Sequence, residues 1–349
     1  MKSKLTVISC TVFLLFVVGL MPLTIGTVQS TYGEEIKLEL TDTGPRGSCL
    51  VLGPDKVKEL VEKKSKGRIK IVRYPSYELY DPKAEIEAIS RGKIAMANLH
   101  VAYVGGRSPA LEFIGSFGAQ GCWDDGDHYW RFLDLPEVRA IAEKEFRDKL
   151  NVKLLSMICG GNSLFGNTRR PVHTVEDFKD LKVRTAGVAQ ATMYRALGVV
   201  PTELSSKEVY MALQRGTIDG ANSTPHRFIA SKWYEVINYI TQDYSVPWFS
   251  FWLAANLDIW NKLSKGDQEI IQEAAREAEA FSRECVVKET EAAYEKLRGG
   301  LVKELYLLPK SETRKITQMV KPVMVDLFAK RAGKEMSETL WGLLDKTSK

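Results

Sequence analysis

Short β-rich runs alternate with runs of helical apolar spacing from about residue 36 to about residue 256. Residues 36–40 read as a strand, and residues 54–64 as a helix with Val57, Leu60 and Val61 on one face. Residues 69–74 form the next expected strand. Asp81 and Pro82 then supply an N-cap and a first helical residue, Gly92 ends that helix, and residues 94–99 return to a strand. A long helical stretch covers residues 124–150, followed by a strand over 152–157. Thr174 to Asp177 cap a short helix, residues 181–184 read as strand, and 188–197 as helix. Residues 244–256 are extended and aromatic, and should carry the chain back toward its first half. Ser264 caps a long helix reaching residue 298, with Ile270, Ile271, Ala274, Ala278, Phe281 and Cys285 suited to one buried face. Helices over 311–330 and 334–344 complete the chain. This alternation predicts α/β layers with largely parallel sheets.

One segment recurs. Arg91-Gly92-Lys93-Ile94-Ala95-Met96-Ala97-Asn98 reappears as Arg215-Gly216-Thr217-Ile218-Asp219-Gly220-Ala221-Asn222. Extended back to Asp81 at the same offset, seven of 18 positions are identical. In both copies a capped helix ends at a glycine and feeds a short strand. The second cap is a capping box, Ser205-Ser206-Lys207-Glu208. Chance likeness of one helix-glycine-strand unit is one reading; two lobes of related build is the other. On the second reading Asn98 and Asn222 stand at equivalent carboxyl ends of strands, where open α/β sheets bind ligands. Between the copies, Cys159-Gly160-Gly161-Asn162 suits a crossover or hinge, because paired glycines tolerate unusual backbone angles.

The first 33 residues lie outside the alternation. Lys2 and Lys4 precede an apolar run from Leu5 to Leu20, then Met21-Pro22-Leu23 and small or polar residues up to Gly33. That is the three-part pattern of a secretory signal, expected to be cleaved; an uncleaved amino-terminal anchor is the alternative. Val7-Ile8-Ser9-Cys10 resembles a lipoprotein box but precedes most of the apolar run, so that reading is rejected. Hydrophobic content of 44% with 27% charged residues is that of an ordinary globular protein. The net charge is +5, two of it on Lys2 and Lys4, and it is too weak and too evenly spread for nucleic acid. Cys49, Cys122, Cys159 and Cys285 are widely spaced, which disfavours a metal or thioredoxin-like site. Three pairings are open to them, with buried thiols the default. No Gly-x-Ser-x-Gly elbow, His-Glu-x-x-His, phosphate loop or dinucleotide fingerprint occurs. His100, His128, His173 and His226 are scattered, so no catalysis, cofactor or metal is expected.

Three stretches carry a family resemblance: Asp180-Leu181-Lys182-Val183-Arg184, Leu197-Gly198-Val199-Val200-Pro201-Thr202, and Glu208-Val209-Tyr210-Met211-Ala212-Leu213-Gln214-Arg215-Gly216-Thr217-Ile218-Asp219-Gly220. They resemble the substrate-binding subunits of TRAP (tripartite ATP-independent periplasmic) transporters, the DctP-type family. The resemblance implies an α/β periplasmic binding protein fold of two lobes, with crossing strands and a long interlobe helix. The expected division is a signal peptide over 1–33, lobe I over 34–161 plus 250–289, and lobe II over 162–249 plus 290–349. It also implies a monomeric periplasmic protein that captures a small organic carboxylate for a small and a large membrane subunit driven by an ion gradient. A sensor docking on a membrane receptor, or a periplasmic enzyme on the same scaffold, are the alternatives. The family's carboxylate-binding arginine falls on Arg184, whose planar fork fits a carboxylate through two hydrogen bonds; a structural pairing with an acid such as Asp180 is the other reading. By the same likeness Asn222, Ser223, Asn98 and His100 border the ligand, and Trp248 and Phe249 either stack on its apolar part or pack in the core. Asn222 stands where a glutamate is common, so no bound metal is expected. Leu164 takes the place of a second arginine, so a ligand with one carboxylate is expected. Arg169 and Arg170 are assigned to the following turn.

Overall fold

The computed structural model describes residues 35–44, 46–119, 121–124, 127–159, 163–242 and 250–349. The signal-peptide expectation, the Gly160-Gly161-Asn162 hinge, Trp248 and Phe249 therefore lie outside the described residues.

Strand β1 (Ile36–Asp42) is followed by α1 (Cys49–Lys64), β2 (Ile69–Tyr74), α2 (Pro82–Ser90) and β3 (Met96–His100). Asp81 caps α2 by accepting from Lys83 and Ala84 N–H, and Gly92 turns out of it at φ 67°. Helix α1 starts at Cys49, earlier than Pro54; its first turn buries Leu50 and Val51, and Pro54 is accommodated inside it. The expected helix over 124–150 divides at Pro136 into α4 (His128–Leu133) and α5 (Pro136–Leu150), because Leu135 is extended and the proline starts a new helix. A short α3 (Pro109–Glu112) precedes them. Next come β4 (Val152–Cys159), β5 (Leu164–Asn167), β6 (Lys182–Thr185), α6 (Val188–Ala196), β7 (Val200–Glu203), α7 (Val209–Gln214) and β8 (Gly220–Ser223). Residues 205–208 form a turn instead of a first helical turn, Ser205 N–H donating to the Glu208 carboxylate at 2.9 Å. The chain continues as α8 (Pro225–Ala230), β9 (Tyr239–Gln242), β10 (Ser250–Asn256), α9 (Leu257–Lys262), α10 (Lys265–Lys296), β11 (Glu304–Leu307), α11 (Lys310–Ala332) and α12 (Lys334–Lys346).

Two sheets result, ordered β2-β1-β3-β10-β4 and β7-β6-β8-β5-β9-β11. They repeat one plan. In the first, β3 has parallel β1 on one side and antiparallel β10 on the other; in the second, β8 has parallel β6 and antiparallel β5. Gly92 and Gly216 enter β3 and β8 at φ 67° and 69°, a left-handed turn that glycine adopts at no steric cost. Each sheet borrows its antiparallel neighbour from the chain's return: β4 leads across to β5, and β9 leads back to β10. The molecule is thus an α/β protein of two lobes joined by crossing strands.

One face of the first sheet packs Leu40, Ile71 and Leu253 against α1 and the first half of α10, through Val57, Val61, Ile271 and Ala278. Near its other end α10 places Tyr294, with Leu297 just beyond, among Leu164, Phe228 and Ile240 of the second lobe. At 32 residues, or about 48 Å, this helix spans both lobes. Cys49 at the start of α1 is disulfide-bonded to Cys285 on α10, with Cα atoms 5.7 Å apart. This corrects the default expectation of thiols, because helix packing joins cysteines separated by 236 residues. Burial pushes the Cys122 thiol up to about 12. The last helices fold back onto the first lobe, Phe328 and Trp341 meeting Phe113 edge to face. Among the described residues no helix is long and apolar enough to cross a membrane.

Candidate functional site

Arg184 sits on β6, whose neighbours β7 and β8 run parallel to it, and its side chain is brought to the interface between the lobes. It is 3% exposed. Its Nε donates to the Leu204 carbonyl at 2.9 Å and one Nη to the Tyr103 hydroxyl at 3.1 Å. Among the described residues no carboxylate lies within 4 Å of this guanidinium, so the Asp180 pairing is absent.

The opposite wall comes from the first lobe. His100 ends β3, and its Nδ1 accepts from Ala102 N–H at 3.2 Å, capping the 3-10 turn Val101–Gly106 that presents Tyr103. The His100 ring meets Tyr103 and Phe251 edge-on, with centroids 5.0 and 4.5 Å away. Burial, and then the guanidinium groups of Arg184 and Arg227, push His100 down to about 3, so the imidazole is neutral at ordinary pH.

Arg184, His100, Ser223, Thr224, Arg227 and Tyr103 border one cavity of about 30 Å³, with Leu50, Ser206, Trp233 and Phe251 completing its wall. A larger cavity of about 580 Å³ opens on the other side of Tyr103, between the start of α2 and the β7–α7 turn. Its lysines, Lys83 and Lys207, are offset by Asp81, Glu203 and Glu208, and Lys83 pairs with Glu203 across the lobes at 3.2 Å. Among the described residues the smaller cavity is lined by two cations and no acid, which makes it the chemically distinctive one.

The profile of the bacterial extracellular solute-binding proteins, family 7 (DctP), matches residues 41–331. The chain belongs to this family. It is 26% identical over 291 residues to the C4-dicarboxylate-binding periplasmic protein DctP of Rhodobacter capsulatus, covering 81% of this chain and 83% of that one. It is 26% identical to the monocarboxylate 2-oxoacid-binding periplasmic protein of Nostoc sp., covering 86% and 80%. Its fold matches a TRAP periplasmic solute-binding protein of Shewanella oneidensis solved with bound succinate, at a TM-score of 0.80, 20% identity and coverage of 89% and 99%. The resemblance read from residues 180–220 is thereby shown to be family membership.

Within this family-7 chain the residues singled out by sequence take different places. Arg184, Ser223 and His100 border the small cavity. Asn222 lies beneath it, fully buried, accepting from Gln190 Nε2 and donating to Ser163 Oγ at 3.3 Å. Gln190 in turn accepts from Ala186 N–H at 2.7 Å, so Asn222 braces the turn that follows Arg184. Asn98 is also fully buried, donating to the carbonyl of cavity-lining Leu50 at 2.9 Å. Leu164 belongs to the second lobe's core with Val209 and Phe228. Arg169 lies 3.7 Å from Asp219, and Arg170 serves the turn by donating to Asp177 and Lys179 carbonyls.

Sequence reasoning missed Tyr103, Tyr77 and Arg227. Tyr77 and Ser76 adopt positive φ (70° and 54°), a conformation fixed by Asp42, which accepts from Ser76 N–H through its carboxylate and from Tyr77 N–H through its carbonyl. The loop thereby sends the Tyr77 hydroxyl across to Ser206 Oγ at 2.9 Å and to Arg227 at 3.4 Å. Adjacent non-glycine residues of left-handed backbone leave no signature in sequence. The one available signal was Thr224-Pro225, a cap and first helical residue opening α8 just past the β8 motif.

Proposed function

We propose that this chain is the extracytoplasmic solute-binding subunit of a TRAP-type transporter, capturing a small organic carboxylate between its lobes. The carrying observation is the buried Arg184 guanidinium, which among the described residues faces a cavity without a carboxylate and donates to two neutral oxygens. Burying a cation is costly unless an anion or full hydrogen bonding compensates it. A ligand carboxylate supplies that partner through the guanidinium's remaining N–H groups. Names of relatives that bind C4-dicarboxylates and 2-oxoacids agree with this ligand chemistry.

On this reading the protein acts by binding, without catalysis, metal or cofactor. It works as a monomer in the periplasm after loss of residues 1–33, and passes its ligand to a small and a large membrane subunit coupled to an ion gradient. Lobe I takes 34–161 plus 250–289 and lobe II 162–249 plus 290–349, with α11 and α12 folded back on lobe I. Ser223 and His100 complete the polar wall, and Trp248 and Phe249 cover the ligand's apolar part.

The test is calorimetry on purified variants, after a thermal-shift screen of organic acids. Removing one partner of a buried charge pair costs roughly 2–5 kcal/mol, so Arg184→Ala should weaken carboxylate binding about thirtyfold or more. Arg184→Lys should recover only part, because an ammonium lacks the planar fork. A folded Arg184→Ala protein that binds within about threefold of wild type would sink the assignment.

A further inference from the structure

We propose that Arg227 is a second anion anchor, and that the ligand is a compact dianion whose two acidic groups are taken separately by Arg184 and Arg227. This deepens the carboxylate reading above and rests on it. Relatives with dicarboxylate and monocarboxylate ligands both lie within reach of this chain, so the choice falls to the cleft itself.

Both guanidinium groups border the same small cavity, and among the described residues no carboxylate lines it. The His100 ring lines the wall of the same cavity, so both cations face one small space. Among the described residues neither arginine has an acidic partner. Arg227 donates only to the hydroxyls of Ser231 and Tyr77, at 3.4 Å each, so its present bonds are long and neutral. The third basic group, His100, is uncharged, so the described wall carries two positive charges and no carboxylate to balance them. A monocarboxylate leaves one of those cations facing a low-dielectric cleft without a counter-charge; a dianion pairs both.

The placement of Arg227 is also built. Thr224 caps α8 by accepting from Arg227 N–H at 3.4 Å, and Thr224 itself lines the cavity. The two anchors are arranged alike: an arginine of the second lobe meets a phenol of the first, Arg184 with Tyr103 and Arg227 with Tyr77. Leu164, at the position where sequence likeness sought a second arginine, is in the core instead. The second cation comes from a different element, and the expectation of a single carboxylate gives way to two.

The experiment is calorimetry of the whole protein with saturated dicarboxylates from malonate to adipate and with their monoamides. At least one dicarboxylate should bind wild type about thirtyfold or more tightly than its own monoamide, as for one lost charge pair. Arg227→Gln should bring that ratio to within about threefold, the dicarboxylate losing more affinity than its monoamide. Arg184→Ala should weaken both. Equal binding of acid and monoamide by wild type, or binding of monocarboxylates with no dicarboxylate bound, overturns the proposal. So does an Arg227→Gln protein that keeps its melting temperature and loses both ligands equally, since that marks a role in cleft shape. Failure of wild type to bind any carboxylate removes the underlying reading as well, and is distinguishable from these outcomes.

Discussion

At the residue scale the cleft is governed by groups held away from their ordinary charge. His100 is kept neutral down to about pH 3, while the unfolded chain's imidazole titrates near 6.5. On acidification the unfolded state therefore binds the proton first, and stability falls as pH drops from 6.5 toward 3. Glu85 behaves oppositely. Burial pushes its carboxyl up to about 8, where it accepts from Thr41 Oγ1 at 2.7 Å. The stability it lends is fully present below its unfolded value of 4.5 and is lost as pH rises through about 8. Urea unfolding across pH should show both slopes. His100→Gln should flatten the acid side and Glu85→Gln the alkaline side. An unchanged acid slope in His100→Gln would place the responsible proton elsewhere. Near pH 7 carboxylate binding should not follow an imidazole titration at His100, because that ring is already neutral.

At the element scale the contact of α1 with α10 is fastened twice. The Cys49–Cys285 bond lies one helical turn from Glu289 on α10, whose Oε1 accepts from Cys49 N–H at 2.9 Å and stands 3.1 Å from His226 Nδ1 on α8. Burial holds Glu289 up at about 7 and His226 down at about 4, so the pair is in its neutral form through mildly acidic pH. Closing a loop across 236 residues should stabilise the fold by about 2–4 kcal/mol. Reductant, or Cys285→Ser, should lower the unfolding free energy by that amount and the urea midpoint in proportion; identical midpoints with and without reductant would count against the bond's contribution. None of this was legible from spacing, because packing of two helices sets the partner. The elements that were legible carried strong local signs: Asp81-Pro82 for α2, Ser264 for α10, apolar alternation for β2. Those that escaped notice are four-residue strands too short to show a period and the short helices α3, α8 and α9, and β7 contains Pro201, which suits its edge position in the sheet. Arg184 was readable because a family motif surrounds it. Tyr77 and Arg227 were not, since the fold alone brings residues 150 apart to one wall.

At the scale of the whole molecule, the lobes share an apolar core away from the cleft, while at the cleft they meet through polar contacts, among them Tyr77 with Ser206, Lys83 with Glu203 and Tyr103 with Arg184. Such contacts are individually weak where solvent reaches them, which suits a cleft expected to open and close. Ligand bound by both walls should favour the closed arrangement. Small-angle scattering should accordingly show a smaller radius of gyration on addition of a dicarboxylate that raises the melting temperature. No change at saturation would contradict closure. The α11–α12 hairpin is the element set to limit this motion, because Arg331 reaches from α11 to Glu112 and to the Gly105 carbonyl of the first lobe.

The crossing strands also decide the order in which the two halves can be finished as the polypeptide is made. Strands β5 to β9 lie together between Leu164 and Gln242, so five adjoining strands of the second sheet are available as soon as that stretch emerges. The first sheet waits. Its β4 ends at Cys159, yet β10, which must slot between β3 and β4, begins only at Ser250. The lobe that starts the chain therefore receives its interior strand only after those five are made, although the second sheet's edge strand β11 is added later still; until Asn256 has appeared β3 and β4 keep strand edges without their partner. That interval gives any cellular machinery needing an unfolded substrate a window in which this chain cannot yet lock itself shut.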